Sequence, residues 1–431
     1  MIYSILNTLN LSKKFPYFIF TPLPYAIGTA GDQFIAVIKK AQFLKKKVII
    51  IAPTIFPKLL KYKVCNKCFF QNTLINGFNL NKLGYWKYLL IFLINIQFFF
   101  NRCLVLFLDS FSNIKAKESF RFPHVGVEDS FDKKFFDLNN LKKEKFENIK
   151  PLPVNYSDIC VSLEPHLIEI CEKKLLQVGL DSKSKFVCLH VRDSKFRNDP
   201  KRRNFRNSDI KNYEETIKYL LNNGYYVFRM GRIADKKVDI NHEKFIDYPF
   251  SNLNSEMMDL YLIKNCYFFI GNAAGITSLS FVYNKPTLLT NYVKVFEGKG
   301  TNHLNRSVYK KPFWKKNGKL LSFREYINLT YNYHHINFIN DEIDFKENIS
   351  KEILVSTKEF CQLLEKKIDC NLTDSQKKFN QLLLSSMEEK FYYNNLPKGQ
   401  NFSQSDDCVR FIREMKEEKG SASLSFLEEN L

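Results

Sequence analysis

Between residues 186 and 291 the chain alternates short apolar runs with stretches of helical period. The runs are "FVCLHV" (186–191), "YYVFRMG" (225–231), "CYFFIGN" (266–272) and "PTLLTN" (286–291). Runs this short and this continuously apolar read as strands buried on both faces. Parallel strands need crossovers of helical length, and those supply the cover. One crossover helix starts near Asn212, with Glu215 three residues on in a capping-box pattern, and stops at Gly224. A second covers 255–264, and a short helix precedes the run at 286–291. The chain is thereby confined to an α/β fold with a parallel sheet.

The first third begins the same way. A strand at Tyr17–Phe20 leads into a glycine-containing loop (27–32), an amphipathic helix (33–43) and a β-branched strand (48–51) ahead of Pro53. Residues 110–153 turn polar, a helix follows at 167–177, and 341–431 is helical and charged. At 431 residues one core is not expected to serve, and two units of roughly 150–200 residues fit usual domain sizes. The expected architecture is two Rossmann-like domains facing a cleft, 1–180 with its connector and 181–340, followed by a helical region at 341–431.

Charge and cysteine content narrow the function classes. A hydrophobic share of 45% with 26% charged residues excludes a disordered chain. The net charge of +20 is carried by lysines spread along the whole length, with Asn, Ile and Phe abundant beside them, as AT-rich codons produce. No single basic stripe marks a nucleic-acid reader, so no specific nucleic acid is expected, and attraction to anionic phosphate or lipid is favoured. The ten cysteines form no paired pattern. Cys65 and Cys68 make a lone CxxC without the second pair that a structural zinc wants, so neither metal nor cofactor is expected. The opening "MIYSILNTLNLSKKF" does not read as a secretory signal, and a reduced, cytoplasmic setting is expected. The run at 88–108 is about long enough to span a bilayer, but Asn95, Gln97, Asn101 and Arg102 interrupt it. A buried helix is its first reading, a helix on the inner membrane face the second, and a spanning helix the third.

In open parallel sheets, ligands bind beyond the carboxyl ends of the strands. Three such ends carry chemistry here: His190, Arg192 and Asp193; Arg229, Gly231 and Arg232; and Asn272, Gly275, Thr277 and Ser278. Side by side they offer guanidinium forks, a small-residue turn and helix-start amides, the parts that hold a diphosphate. Arg206, with Asn207 and Ser208, stands ready to fold back on the same group, while Lys201, Arg202 and Arg203 read as a solvated run. Singly, each has a structural reading: a core histidine, a surface ion pair, a strand-to-helix turn.

The stretch "VCLHVRDSKFRND…FRNSDIKNYEETIKYLLNNGYYVFRMGR", with "IDYP", "MMDLYLIKNCYFFIGNAAGITSL", "KPTLLTNYV", "KKPFWKKNGKLLSFREYI" and "SLSFLEENL", resembles a bacterial glycosyltransferase-like family associated with surface-polysaccharide synthesis. More distantly the pattern is similar to fucosyltransferase-type enzymes of the two-Rossmann-domain, GT-B, fold. Their His-x-Arg motif opens the donor domain, which by resemblance makes Arg192 the ligand of the donor β-phosphate, with His190 beside it. The turn at 272–278 corresponds to their Ser/Thr loop near the diphosphate. Gly31-Asp32-Gln33 is similar to their N-terminal glycine turn, on the acceptor side. Asp32 stands where asparagine is usual, and "VRDS" lacks the Arg-Gly-Asp continuation.

The resemblance implies metal-independent transfer from a nucleoside-diphosphate sugar to a glycan or lipid-linked acceptor, by a cytoplasmic protein peripheral to the inner membrane face. Asp32 is preferred as general base over Glu128, Asp129 and Asp193. Rival expectations are a transferase using another activated anionic donor, sulfate or pyruvyl, and a basic nucleic-acid-binding protein.

Overall fold

The computed structural model describes residues 2–22, 26–52, 64–111, 146–148, 150–195, 201–293, 295, 300–330, 342–392, 416 and 420–430. The chain divides into two compact units, Met1–Asp137 with Leu152–Cys171, and Leu138–Pro151 with Glu172–Leu431.

Unit 1 opens with α1 (Ile2–Leu11), β1 (Tyr17–Phe20), α2 (Ile27–Phe43) and β2 (Lys47–Ile50). β1 and β2 pair in parallel with Phe18 opposite Val48, as the β-loop-α-β pattern requires. Ala30, Phe34, Val37, Ile38 and Ala41 form the buried stripe of α2 at helical spacing. The expected loop at 27–32 is absent, because α2 already starts at Ile27. Two glycines cost a helix about 1 kcal/mol each, and the burial of Ala30 and Phe34 outweighs that. Gly31-Asp32-Gln33 therefore lies within a helix, with Asp32 exposed.

The free edge of β1 is met by a side chain: the Asn10 amide donates to Ile19 O and accepts from Ile19 N, both at 2.7 Å. Lys46 closes the last turn of α1, its Nζ donating to the carbonyls of Leu9, Asn10 and Ser12. Unit 1 continues with α3 (Lys67–Asn72), β3 (Thr73–Ile75) and α4 (Trp86–Phe111), and then β4 (Val161–Leu163), which pairs antiparallel with β3. Ile94 of α4 packs into a core with Leu6, Ile19, Ile49 and Ile51. Among the described residues no helix is long and apolar enough to cross a membrane.

The helix α5 (Pro165–Leu176) runs across the division between the units. Unit 2 is built on β5 (Phe186–His190), β6 (Tyr226–Arg229), β7 (Phe245–Asp247), β8 (Phe268–Gly271), β9 (Thr287–Tyr292), β10 (Arg306–Tyr309) and, from the far end of the chain, β13 (Ser421–Ala422). They form a parallel sheet in the order β13-β10-β9-β8-β5-β6-β7. Val187, Cys188, Leu189, Phe268, Phe269 and Ile270 are fully buried, which is why the central strands read as unbroken apolar runs.

Helices α6 (Glu214–Asn222), α7 (Glu256–Asn265), α8 (Thr277–Val282) and α9 (Phe323–Thr330) belong to this unit, with an antiparallel pair of β11 (Lys311–Trp314) and β12 (Ile343–Lys346). The capping box at Asn212 does not form. A 3-10 turn, Ile210–Tyr213, intervenes, and Asp209 caps it by accepting from Lys211 N. Asn212 instead donates to Glu347.

The helical region beyond 340 packs within unit 2. α10 (Ser350–Leu364) sets Phe360 edge-on against Phe268 of β8, with ring centroids 5.5 Å apart. After α11 (Asp374–Tyr392), the strand β13 joins the sheet edge and leads into α12 (Leu424–Asn430). Glu359 of α10 accepts from Leu424 N at 2.8 Å and Ser425 N at 3.0 Å, so it caps the start of α12.

Candidate functional site

β5 is flanked by β6 on one side and β8 on the other, so the chain order reverses between β5 and β8. At such a reversal the following crossovers leave on opposite faces, and a crevice opens beyond the strand ends. The three strand ends singled out in the sequence thus lie side by side. His190 is paired opposite Gly271, and Leu189 opposite Arg229. Gly271 admits no side chain: a Cβ there would stand 2.5 Å from Phe269 and 2.9 Å from Thr277 Oγ1.

Immediately past β5, the main chain of Arg192 is held from both sides. Its N–H donates to Asn272 Oδ1 at 3.1 Å and its carbonyl accepts from Ser208 N at 3.0 Å. The Arg192 guanidinium bonds Asn207 Oδ1. Asn272 Nδ2 in turn reaches Arg206 O and Ser208 Oγ, each at 3.4 Å. Asn272 is fully buried and stitches the loop after β8 to the loop after β5. Asp193 uses both oxygens on main-chain donors, Lys195 N at 2.9 Å and Asp235 N at 3.0 Å, which ties the β5 loop to the β6 loop.

His190 closes the end of β5. Its Nδ1 lies 3.0 Å from Met230 O, so Nδ1 carries the proton and Nε2 the lone pair. Burial pushes the imidazole down to about 4, against an opposing pull from the Met230 carbonyl and Asp193, while Arg229 and Arg192 push it further down. The ring is neutral at physiological pH. Gly231, at φ +142°, turns the chain beside it, and a Cβ at that position would lie 3.8 Å from His190 Cε1.

The two arginines of the β6 end differ. Arg229 is 2% exposed, and its guanidinium is committed to Asp247 at 3.1 Å and to Lys236 O at 2.6 Å. It holds the strand end together. Arg232 is partly exposed, with Nε on Asp259 at 3.0 Å and Nη1 on Glu256 at 3.4 Å, while its buried Nη2 has no partner among the described residues. Burial raises the Asp259 carboxyl, opposed by Arg232 and by the Tyr248 hydroxyl, which donates to it at 2.8 Å.

The turn after β8 spends its polar groups on itself. Thr277 Oγ1 donates to Asn272 O at 2.8 Å, Thr277 N to Ala274 O, and Ser278 N to Gly275 O. The helix that follows has only six residues. The helix-start amides expected to face a ligand are in this way used within the turn.

Several residues of this edge were not singled out in the sequence. Lys310, one position past β10, is buried, and its Nζ donates to Asn207 O at 2.6 Å with Glu347 at 3.6 Å. Burial lowers its pKa, with Glu347 pulling the other way. At the end of β9, the main-chain N–H groups of Asn291 and Asn348 each donate to the other's side-chain Oδ1 at 2.7 Å, and Asn291 Nδ2 donates to Tyr213 OH at 3.0 Å. The visible signal was again a polar residue directly after an apolar run: Lys310 follows "SVY" and Asn291 follows "LLT".

Asp32 belongs to α2 of unit 1. Glu128 and Asp129 lie outside the described residues, as do the side chains of Lys201, Arg202 and Arg203. Among the described residues no group of three or more His, Cys, Asp or Glu is placed to hold a metal ion.

No protein-family model matches the chain, and the comparison with curated proteins gives no match. Among solved structures the chain is similar to an E. coli ADP-heptose LPS heptosyltransferase II, with 13% sequence identity, 63% of this chain and 83% of that chain covered, and a TM-score of 0.34. A likeness at that score decides neither donor nor acceptor.

Proposed function

We propose that the chain is a glycosyltransferase whose unit 2 binds the diphosphate of a nucleoside-diphosphate sugar beside Arg192. The sugar passes to a glycan or lipid-linked acceptor in surface-polysaccharide synthesis, on the cytoplasmic side. One observation carries the reading: Arg192, His190, the Gly231-Arg232 turn and Asn272 occupy neighbouring strand ends at the point where the sheet order reverses. The His-x-Arg resemblance of the sequence supports the same assignment.

Each residue has a role that follows from its surroundings. Departure of a nucleoside diphosphate builds negative charge on the β-phosphate in the transition state, and fixed cations placed there lower the barrier. Arg192 supplies such a cation and the unpartnered Nη2 of Arg232 a further donor, in a transfer read as metal-independent. Asn272, Asn207, Ser208 and Lys310 hold the Arg192 loop in position. A neutral His190 offers Nε2 as an acceptor without adding a competing charge. Unit 1 is the acceptor-binding half in this reading, with the exposed carboxylate of Asp32 as the general base.

A panel of nucleotide sugars tests the proposal, with release of the nucleoside diphosphate as readout in the presence of a chelator. One donor should turn over, and Arg192→Ala should slow it by at least about a hundredfold, the usual scale for removing a charge-stabilising group. Turnover of an activated sulfate or of a pyruvyl donor in place of every nucleotide sugar would refute it.

A further inference from the structure

Two of the amides that interrupt the apolar sequence of α4 bond within the helix. Asn95 is buried and donates to Ile91 O at 2.8 Å, and Gln97 donates to Asn101 at 3.0 Å, so these amides are satisfied within the helix. The side that packs on unit 1 carries Ile94 and Phe98. At 100° per residue the opposite side carries Trp86, Tyr88, Leu89, Phe92, Phe100 and Leu104, all exposed. Trp86 is 70% exposed, Phe92 58% and Phe100 62%. The strip runs about 27 Å along the helix. A helix that presents so many large apolar side chains outward departs from the pattern of one facing water.

Charge identifies what covers that strip. Residues 1–108 hold fourteen lysines and arginines and one acidic residue, Asp32. Exposed Lys13, Lys14 and Lys82 stand at the two segments that adjoin α4, the end of α1 and the turn before Trp86. Lys87 lies over the Tyr88 ring at 5.0 Å. A second copy would bring the same basic segment against itself, whereas an anionic surface is attracted by it. Tyr85, Trp86 and Tyr88 beside the lysines match the composition of a membrane–water interface, where aromatic rings sit at headgroup level and ammonium groups reach the phosphates.

We propose that α4 lies flat on an anionic lipid bilayer, its Trp86–Phe92–Phe100–Leu104 face immersed at the headgroup boundary and the surrounding lysines on the lipid phosphates. The inference does not depend on the donor chemistry of unit 2.

The chain has two tryptophans, Trp86 and Trp314. In a full-length Trp314→Phe protein, Trp86 emission should therefore shift to the blue on vesicles of phosphatidylcholine with phosphatidylglycerol, and brominated acyl chains should quench it. Vesicles of phosphatidylcholine alone should do neither. Sedimentation of the unsubstituted protein with anionic vesicles should fall at least about tenfold in the double variant Phe92→Ser, Phe100→Ser, and should weaken with added salt. The double variant should keep any nucleotide-induced rise in melting temperature, which separates failure of this proposal from failure of the donor assignment. Unchanged Trp86 emission on anionic vesicles would overturn it. So would a lipid-free dimer in which Trp86 is already blue-shifted, since a second copy would then cover the face.

Discussion

At Arg229 the guanidinium is enclosed against Asp247, so removing it leaves a carboxylate buried without its partner. Breaking such a pair from one side costs about 3–5 kcal/mol. Arg229→Ala should therefore lower the urea midpoint of the chain strongly. A loss under about 1 kcal/mol would show that the pair is not enclosed as described. His190 gives a pH-dependent signature at the same edge. Its folded pKa, about 4, lies below the ordinary histidine value of 6.5, so the unfolded chain takes up a proton first as pH falls. The stability this site contributes is complete above pH 6.5, declines between 6.5 and 4, and changes no further below that, by about 3 kcal/mol in all. His190→Gln keeps a donor for Met230 O and cannot titrate. Urea titrations at pH 7.5 and 5 should show the wild type losing more stability than the variant; equal losses would remove His190 as the titrating group.

Elements set how closely these residues approach one another. β8 ends in Gly271 because Phe269 and Thr277 occupy the space a side chain would need. Gly271→Ala must push one of them aside, at a cost of about 1–3 kcal/mol. Through Thr277 the strain passes to Asn272, and from there to the Arg192 main chain. Donor turnover should accordingly fall along with the melting temperature. A variant with wild-type melting temperature and turnover would mean that the β8 turn is looser than its packing implies. The helices show why local signals were read unevenly. α2 announced itself by period, whereas the 3-10 turn Ile210–Tyr213 displaced the predicted cap, because Glu347 draws Asp209 N and Asn212 to itself from 135 or more residues away.

On the scale of the molecule, the parallel sheet of unit 2 was legible because its central strands are buried on both faces and leave long apolar runs. β7, β10 and β13 were not. They have three, four and two residues, and β13 joins through chain returning from beyond residue 420, a pairing no local pattern encodes. In unit 1 the β1-α2-β2 start was legible. The described remainder pairs β3 with β4 antiparallel, so the second Rossmann-like sheet rests on the resemblance. For the site, the sequence indicated which polar residues stand at strand ends that lie side by side, but not which polar groups are spent on the fold. Arg229 and Thr277 look like ligands in one dimension and are closed by Asp247 and Asn272 in three. The outward face of α4 was hidden because Asn95 and Gln97, which bond within the helix, break the apolar run when it is read linearly.

The donor assignment of Arg192 is tested most directly by calorimetric titration of nucleoside diphosphates into the full chain and into Arg192→Ala. One nucleoside diphosphate should bind the wild type, and the variant should bind it about 10–100-fold more weakly, the loss of a charge-assisted bond. Equal affinity in both proteins would contradict the account. So would no nucleoside diphosphate binding beside RNA or DNA binding that collapses with salt.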